Sequence, residues 1–307
     1  MSSKKSSPWL RRFTAWGFIP LVLCVLVAAG IREVGLGSID PDNTVQAPVD
    51  ARVAGGSLMI VGGGAVTPAI RREFVELAGG SHARIVLIPA SDLSPGGEER
   101  LLSPWKSSGA VSVIVLNARD REMANDPTFC APLKEATGVW FGGGYQALLA
   151  ERYVDTLVQD ELHRLLARNG VVGGCSAGAA LLSRIMIREG DVTPVEARGL
   201  DLISDAIVDQ HFLARNRVWR LEQMLEAHPK LVGLGIDEAT ALVIDLRNWR
   251  MRVVGESYVF AWIPGSEGHL PRIEILHPGD DVVLSQLREQ HLAYNPPVDR
   301  SAVSGGE

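Results

Sequence analysis

Short apolar runs alternate with amphipathic stretches between about residue 57 and residue 210 of this chain. Each run is a few residues long and rich in Val, Ile and Leu, which predicts strands buried on both faces. The predicted strands are Leu58–Val61, Ile85–Ile88, Val111–Leu116, Val139–Phe141, Val171–Gly173 and Ala206–Val208. Between Val154 and Ala167, apolar residues recur at helical spacing. Strands separated by helices indicate an α/β fold, with a mostly parallel sheet and helices on both faces.

The pattern changes after Asp209. A helix predicted from Ala214 to Ala227 is followed by closely spaced strand patterns, and a short helix and a polar tail are expected after His277. The strand patterns in this part are Val232–Ile236, Ala241–Leu246, Arg250–Val254 and Tyr258–Ile263. Because their connections are short, we expect C-terminal β-hairpins added to the main sheet.

The N-terminus has the features of an export signal. A basic flank (Lys4, Lys5, Arg11 and Arg12) precedes an uncharged apolar run from Phe13 to Ile31. A run of this length also suits a membrane anchor with its basic end in the cytoplasm. We expect a signal peptide or anchor over residues 1–31, a linker over 32–55 and a catalytic domain over 56–307. The protein is then secreted, periplasmic or anchored to the membrane.

Composition excludes several other classes of protein. The chain has 307 residues, of which 46% are hydrophobic, and a formal net charge of −6. A nucleic-acid-binding protein would show a basic surface, which this charge does not suggest. The three cysteines form neither a disulfide framework nor a cluster with metal-ligand spacing. No metal site and no nucleic-acid partner are therefore expected.

A serine at a strand-to-helix turn is the strongest chemical signal. The apolar strand at Val171 runs into Gly173-Gly-Cys-Ser-Ala-Gly-Ala-Ala180, which predicts a tight turn with the Ser176 hydroxyl at its apex. The N–H groups at the following helix start would stabilise developing negative charge. Ser176 is thus a candidate nucleophile, and the Ala177 N–H a candidate oxyanion donor. The same pattern also suits a helix-capping serine.

A glycine run follows the preceding strand. Phe141-Gly-Gly-Gly-Tyr-Gln146 leaves unobstructed N–H groups at the carboxyl edge of a parallel sheet, where ligands bind in open α/β folds. We assign Gly143 and Gly144 to the oxyanion hole and Gln146 to substrate contact. An ordinary loop is the alternative.

A histidine ends the Ala206–Val208 strand pattern. His211 could reach a serine on a neighbouring strand end and act as its general base. Arg215, Arg217 and Arg220 follow at a helix start, where their guanidinium groups could bind carboxylates. A solvated charged helix face is the alternative.

Together and in this order, four segments resemble cyanophycinase and its relatives among the serine peptidases, which include aspartyl dipeptidase. The segments are Phe141–Gln146, Gly174–Ala180, Asp209–Arg217 and Gly235–Val243. The resemblance extends from about Leu58 to about Ile263. It implies a flavodoxin-like fold related to class I glutamine amidotransferases, cleavage of β-aspartyl-arginine dipeptides from cyanophycin or of related aspartyl peptides, a homodimer and no cofactor.

The resemblance also implies roles for individual residues. Ser176 is the nucleophile and His211 the base. Implied substrate contacts are Gln146, Asp209, Gln210, Arg215, Arg217 and Arg220. The chain departs from the family at Cys175 and at Tyr145, and the Tyr145 change bears on substrate preference.

An acidic partner for His211 is physically required. The family's triad glutamate lies between the serine and the histidine, and that stretch is shorter here. We favour Glu196, followed by Asp191, with Glu189 also in the stretch. In the dipeptidase branch the acid comes from a later loop, where Asp237 and Glu238 are the counterparts.

Two other functions fit parts of the sequence. Gly174-x-Ser176-x-Gly178 has the form of the nucleophile turn in α/β-hydrolase esterases, which require the order Ser, acid, His. A non-catalytic protein could use Gly62-Gly63-Gly64 to hold an anion, or could be a degenerate family member that binds peptides without cleaving them.

Overall fold

The computed structural model describes residues 55–265 and 271–287. The strands in these residues are β1 (Ser57–Val61), β2 (Arg84–Ala90), β3 (Ser112–Val115), β4 (Gly138–Gly144), β5 (Val171–Cys175), β6 (Ile185–Glu189), β7 (Val195–Arg198), β8 (Ala206–Gln210), β9 (Val232–Ile236), β10 (Thr240–Asp245), β11 (Arg250–Gly255), β12 (Val259–Ile263), β13 (Arg272–Leu276) and β14 (Asp281–Val283). The α-helices are α1 (Pro68–Leu77), α2 (Gly97–Lys106), α3 (Arg121–Ala124), α4 (Pro127–Glu135), α5 (Gln146–Tyr153), α6 (Leu157–Ala167), α7 (Ala177–Ala180) and α8 (Val218–Ala227).

The central sheet of the described residues has eight strands in the order β14-β11-β10-β1-β5-β4-β2-β3. The five strands from β1 to β3 in this order pair in parallel, and β10, β11 and β14 continue the sheet antiparallel. Along β1, Leu58 and Ile60 belong to one core, whereas Met59 and Val61 belong to the core on the opposite face. The expected α/β fold, with a mostly parallel sheet covered on both faces, is confirmed.

The C-terminal strands divide between two sheets. The hairpin of β10 and β11 extends the central sheet, as predicted, but β9 and β12 pair in a second sheet of order β13-β12-β9-β8. The second sheet includes β8, which sequence reasoning placed in the central sheet. Its Val208 and Leu234 pack into the core shared with β1, while α8 covers its other face through Leu221 and Met224.

Element boundaries differ from the predicted ones where the backbone leaves helical geometry. The helix predicted from Val154 starts at Leu157, because Asp155 has a φ of 58° and Thr156 is extended. The helix predicted from Ala214 starts at Val218, after Asn216 with a φ of 50°. The antiparallel hairpin of β6 and β7 was not predicted.

The expected signal peptide or anchor (residues 1–31) and nearly all of the expected linker (32–55) lie outside the described residues. Within residues 55–265 and 271–287, no helix has the length and apolarity to cross a lipid bilayer.

Candidate active site

Ser176 occupies a strained turn between β5 and α7. Its φ of 53° and ψ of −111° are uncommon for a residue with a side chain. Glycine is required on both sides of this turn: a Cβ on Gly174 would lie 2.3 Å from the Gly178 carbonyl oxygen, and one on Gly178 would lie 2.6 Å from the Phe141 oxygen. The Ser176 N–H donates to the Val61 carbonyl at 2.9 Å, which fixes the turn to the end of β1.

The Ser176 hydroxyl contacts His211. Their Oγ and Nε2 atoms are 2.8 Å apart. His211 follows β8 with a φ of 51°, and its N–H donates to the Gly62 carbonyl. A Cβ on Gly63 would lie 2.3 Å from the imidazole Cε1, so a glycine is needed where this loop passes the ring. The glycines after β1 therefore accommodate the histidine.

Glu238 completes a linear arrangement. Its Oε1 lies 2.5 Å from His211 Nδ1. It belongs to the turn between β9 and β10, where the Ala239 N–H donates to the Gly63 carbonyl at 2.9 Å. A carboxylate at Nδ1 favours the tautomer with hydrogen on Nδ1, which leaves Nε2 free to accept the serine proton.

The prediction that Glu196 orients His211 is therefore wrong. Glu196 lies on β7, and its Oε2 contacts His228 Nε2 at 2.7 Å. Of the other candidates, Glu189 pairs with Arg188 and Asp191 pairs with Arg217. The carboxylate that contacts His211 is that of Glu238, in the later loop. The sequence signal that could have ranked Glu238 above Glu196 is its position just after the buried strand β9.

His211 is available as a base near neutral pH. Burial lowers the pKa of His211 below its ordinary value, and the positive charges of Arg215 and Arg217 act in the same direction. The hydrogen bond with Glu238 opposes this shift without reversing it. The neighbouring Cys175 is not a competing nucleophile, because burial raises the pKa of its thiol to about 11.

Two of the three predicted oxyanion residues lie beside the serine. Gly143 is exposed, and a Cβ on it would be 3.5 Å from Ser176 Cβ. The Ala177 N–H has no acceptor among the residues that the structure describes. Gly144 lies instead against β2, where a Cβ would be 3.0 Å from Ala90 Cβ. Gly143 and Ala177 are thus the predicted oxyanion residues that lie beside Ser176.

A chain of amide and guanidinium contacts lies next to His211. Gln146 donates to the carbonyls of Ile187 and Arg188 at the end of β6, each at 2.5 Å. Gln210 donates to Gln146 Oε1 at 3.1 Å and accepts from Arg217 at 2.8 Å. The amide nitrogen of Gln146 thus holds the β6–β7 hairpin, so the structure gives this predicted substrate residue a structural contact as well.

Asp209 and Arg220 form a buried ion pair. Asp209 is fully buried and Arg220 is 2% exposed. The Arg220 Nε donates to Asp209 Oδ2 at 2.9 Å, and its Nη2 donates to Oδ1. The prediction that these two side chains contact substrate is corrected, because each satisfies the other inside the protein.

Arg217 is also buried, and Asp191 on the β6–β7 hairpin accepts from it at 3.1 Å. Its pKa is lowered by burial first and then by the Arg220 charge. The Asp191 carboxylate partly neutralises the positive charge of Arg217 and occupies its Nη2 donor. A direct contact of Arg217 with substrate, which the sequence suggested, would require this pairing to open.

Arg215 differs from the other two arginines. It is exposed, and it has no carboxylate partner within 55–265 and 271–287. Its positive charge lowers the pKa of His211 and, more weakly than Arg217 does, that of Asp191. Arg215 therefore stays a candidate for binding an anionic ligand, as the sequence predicted. In the described part of the chain, no group of three or more His, Cys, Asp or Glu side chains is arranged to hold a metal ion.

Comparison with known proteins shows that the chain is similar to peptidases. The model of peptidase family S51 matches residues 58–251. The cyanophycinase of Trichormus variabilis is 38% identical over 241 residues, covering 75% of this chain and 74% of that protein. The cyanophycinase of Synechococcus elongatus is 31% identical over 254 residues, covering 75% of this chain and 79% of that protein.

A similar fold is present in a solved structure. The crystal structure of a peptidase from an acI-B1 Actinobacterium superposes with a TM-score of 0.55 at 24% identity, covering 76% of this chain and 98% of that one. At this identity the likeness concerns the fold alone.

Proposed function

This chain belongs to peptidase family S51, a family of serine peptidases, and on that premise we propose that it cleaves cyanophycin into β-aspartyl-arginine dipeptides, or hydrolyses related aspartyl peptides, through an acyl-enzyme. The observation that carries the proposal is the line of contacts from Ser176 through His211 to Glu238, at 2.8 Å and 2.5 Å. A hydroxyl, a neutral imidazole and an orienting carboxylate are the groups that nucleophilic acyl transfer requires.

In the proposed reaction, Ser176 Oγ attacks the carbonyl carbon of the scissile amide while its proton passes to His211 Nε2. The negative charge on the carbonyl oxygen faces Gly143 and the free Ala177 N–H. The C–N bond then breaks as His211 gives its proton to the leaving amine. Water, deprotonated by His211, attacks the ester, releases the aspartyl product and restores the serine hydroxyl.

The charges around the site support an anionic substrate group. Arg215 is exposed and free of carboxylates among the described residues, while Arg217 and Arg220 are occupied by Asp191 and Asp209. A single accessible guanidinium can hold one carboxylate of an aspartyl peptide. The relatives named above are cyanophycinases, and their name supports cyanophycin as the first substrate to test.

The experiment compares the full-length protein with Ser176→Ala on purified cyanophycin, with products identified by mass. We expect β-aspartyl-arginine dipeptides from the original protein and none from the variant. Ser204→Ala is the matched control, because that hydroxyl bonds Asp201 and is expected to leave turnover unchanged. Equal turnover by Ser176→Ala would overturn the mechanism. If the protein cleaves other aspartyl peptides but not cyanophycin, then cyanophycin is not its substrate.

The esterase alternative does not fit the order of the site residues. An α/β-hydrolase requires the sequence Ser, acid, His, whereas here the carboxylate at His211 comes after it, at Glu238. The anion-binding alternative loses its basis at Gly63, which packs against the His211 ring.

We also propose that residues 1–31 direct export, because a basic flank precedes an apolar run in this segment. Cell fractionation tests this: the full chain should be found in the membrane or exported fraction, and a chain lacking residues 1–31 should stay in the cytoplasm. Equal distribution of both chains would contradict the proposal.

A further inference from the structure

Asp237 makes three contacts around the loop that carries His211. Its Oδ1 accepts from the Leu213 N–H at 3.1 Å and from the Ala214 N–H at 3.0 Å. Its Oδ2 accepts from the Ser257 hydroxyl at 2.8 Å. The mechanism proposed above uses none of these contacts, and Asp237 does not bond the imidazole.

The loop after His211 begins with the buried Phe212, whose N–H donates to the Ile236 carbonyl at 3.2 Å, and then becomes exposed. Residues 213–216 are exposed, and their internal hydrogen bonds join Arg215 N to His211 O and Asn216 N to Leu213 O. His211 itself has a positive φ, which costs free energy unless surrounding contacts impose it. Asp237 supplies the two hydrogen bonds that join the exposed part of this loop to the β9–β10 turn.

The same turn provides the acid of the site. Glu238 follows Asp237 directly, so the Asp237 carboxylate and the Glu238 carboxylate bind the His211 loop from adjacent positions. Asp237 is itself held by the Ser257 hydroxyl and by its own N–H, which donates to the Tyr258 carbonyl. The Ile236 carbonyl and the Asp237 carboxylate thus bind successive N–H groups of the loop, at Phe212 and at Leu213 and Ala214, directly beside the residue that contacts the imidazole.

Asp237 is ionised when it makes these contacts. Burial acts to raise the pKa of this carboxyl, but hydrogen bonds from the Ala214 N–H and the Ser257 hydroxyl, with those of the Glu238 and Leu213 N–H groups, hold it below its ordinary value. A charged acceptor makes stronger hydrogen bonds to backbone N–H groups than a neutral one.

We propose that Asp237 is a positioning residue that sets the loop of His211 and Arg215 against Ser176 and Glu238. This role deepens the proposed serine peptidase function and rests on it. In this role the position of the oxygen that accepts the Leu213 and Ala214 N–H groups decides where the loop lies. The negative charge strengthens these hydrogen bonds but does not set their position.

Two substitutions separate geometry from charge. Asp237→Asn keeps an oxygen at the place of Oδ1 and loses the charge, whereas Asp237→Glu keeps the charge and displaces the carboxylate by one methylene. The readout is the rate at which a serine-directed phosphonate labels Ser176, because this reaction needs the activated serine and no peptide. Thermal unfolding of each variant establishes that the labelling temperature lies below its transition.

We expect Asp237→Glu to label about 10- to 100-fold more slowly, since a displacement of about 1 Å in a catalytic group has effects of this size. Asp237→Asn should label within about threefold of the original protein, because the acceptor that binds both N–H groups remains. With peptide substrate, the loss in Asp237→Glu should fall on kcat rather than on KM. Asp120→Glu, which lengthens a carboxylate that accepts the Met123 N–H at the start of α3, is the control and should label at the original rate.

Two outcomes would overturn the role. One is labelling of Asp237→Glu at the original rate, and the other is Asp237→Asn impaired as strongly as Asp237→Glu, which would assign the effect to charge. Failure of the unsubstituted protein to label at Ser176 would overturn the proposed peptidase function and this role with it. If the unsubstituted protein is labelled at Ser176 but does not cleave cyanophycin, then the proposed substrate is wrong and the positioning role of Asp237 is unaffected.

Discussion

Ser176 Oγ and His211 Nε2 lie 2.8 Å apart although the two residues follow strands of different β-sheets. Ser176 follows β5 in the central sheet, and His211 follows β8 in the second sheet. The end of β1 joins them, since Val61 accepts the N–H of Ser176 and Gly62 accepts the N–H of His211. The site therefore depends on how the second sheet packs on the first.

The activity should depend on the neutral form of His211. Burial, followed by the charge of Arg215, lowers the pKa of His211 below its ordinary value of 6.5. The imidazole is neutral above its pKa, so kcat/KM should be constant above that value and fall as pH decreases through it. We expect the acid limb of a kcat/KM profile to have its midpoint below 6.5.

Two variants check the cause of this shift. Arg215→Met removes a nearby cation and should move the midpoint upward, whereas Arg250→Met, whose guanidinium is paired with Asp281, should leave it in place. A midpoint of the unsubstituted protein at or above 6.5 would contradict the assignment of this limb to His211.

Removing the Glu238 carboxylate should impair catalysis without unfolding the protein. In Glu238→Gln the amide can no longer stabilise the imidazolium, and we expect kcat to fall by about 10²- to 10⁴-fold. Steady-state kinetics measure this fall. Glu196→Gln is the matched control, because Glu196 contacts His228 at the surface and should keep kcat within about threefold. A larger loss in Glu196→Gln than in Glu238→Gln would contradict the assignment of the acid.

An added methyl group at Gly63 should displace the imidazole. The Cβ of Gly63→Ala would lie 2.3 Å from His211 Cε1, so the ring has to move and kcat should fall by about 100-fold or more. Gly79→Ala is the control for backbone strain: Gly79 also has a positive φ, of 107°, but its Cβ would meet no atom closer than 4.0 Å. This control should lose a modest amount of stability, about 1 kcal/mol, and no activity. Equal activity of the two variants would show that Gly63 does not confine the ring.

The buried pair of Asp209 and Arg220 should be important for stability. Arg220→Met leaves the fully buried Asp209 without its main partner, and we expect a loss of about 3–5 kcal/mol in the free energy of unfolding. Arg250→Met breaks the exposed pair with Asp281 and should leave the free energy of unfolding close to that of the original protein. Urea unfolding curves measure both values. If Arg220→Met is as stable as Arg250→Met, then the buried pair contributes no more than a surface pair.

Much of the site could be located from the sequence because strand ends are a local property. An apolar run followed by small residues marks the carboxyl edge of a strand, and this pattern was sufficient to select the turn at Ser176, the glycine at Gly143 and the position of His211. The division of the C-terminal strands between two sheets could not be seen in this way, since β9 and β10 have the same apolar character and differ only in which strand they pair with.

The sequence by itself determined the alternation of strands and helices, the tight turn at Ser176 and the candidate groups at the strand ends, because these depend on neighbours a few positions away. Only the tertiary structure decided which carboxylate contacts His211 and which arginine stays exposed. Glu196 and Glu238 are both close to a strand, and Arg215 and Arg220 lie on one short stretch. Their different roles arise from contacts between separate elements of the fold. Glu238 contacts His211 from the β9–β10 turn, whereas Arg220 is buried in an ion pair with Asp209 and Arg215 is exposed.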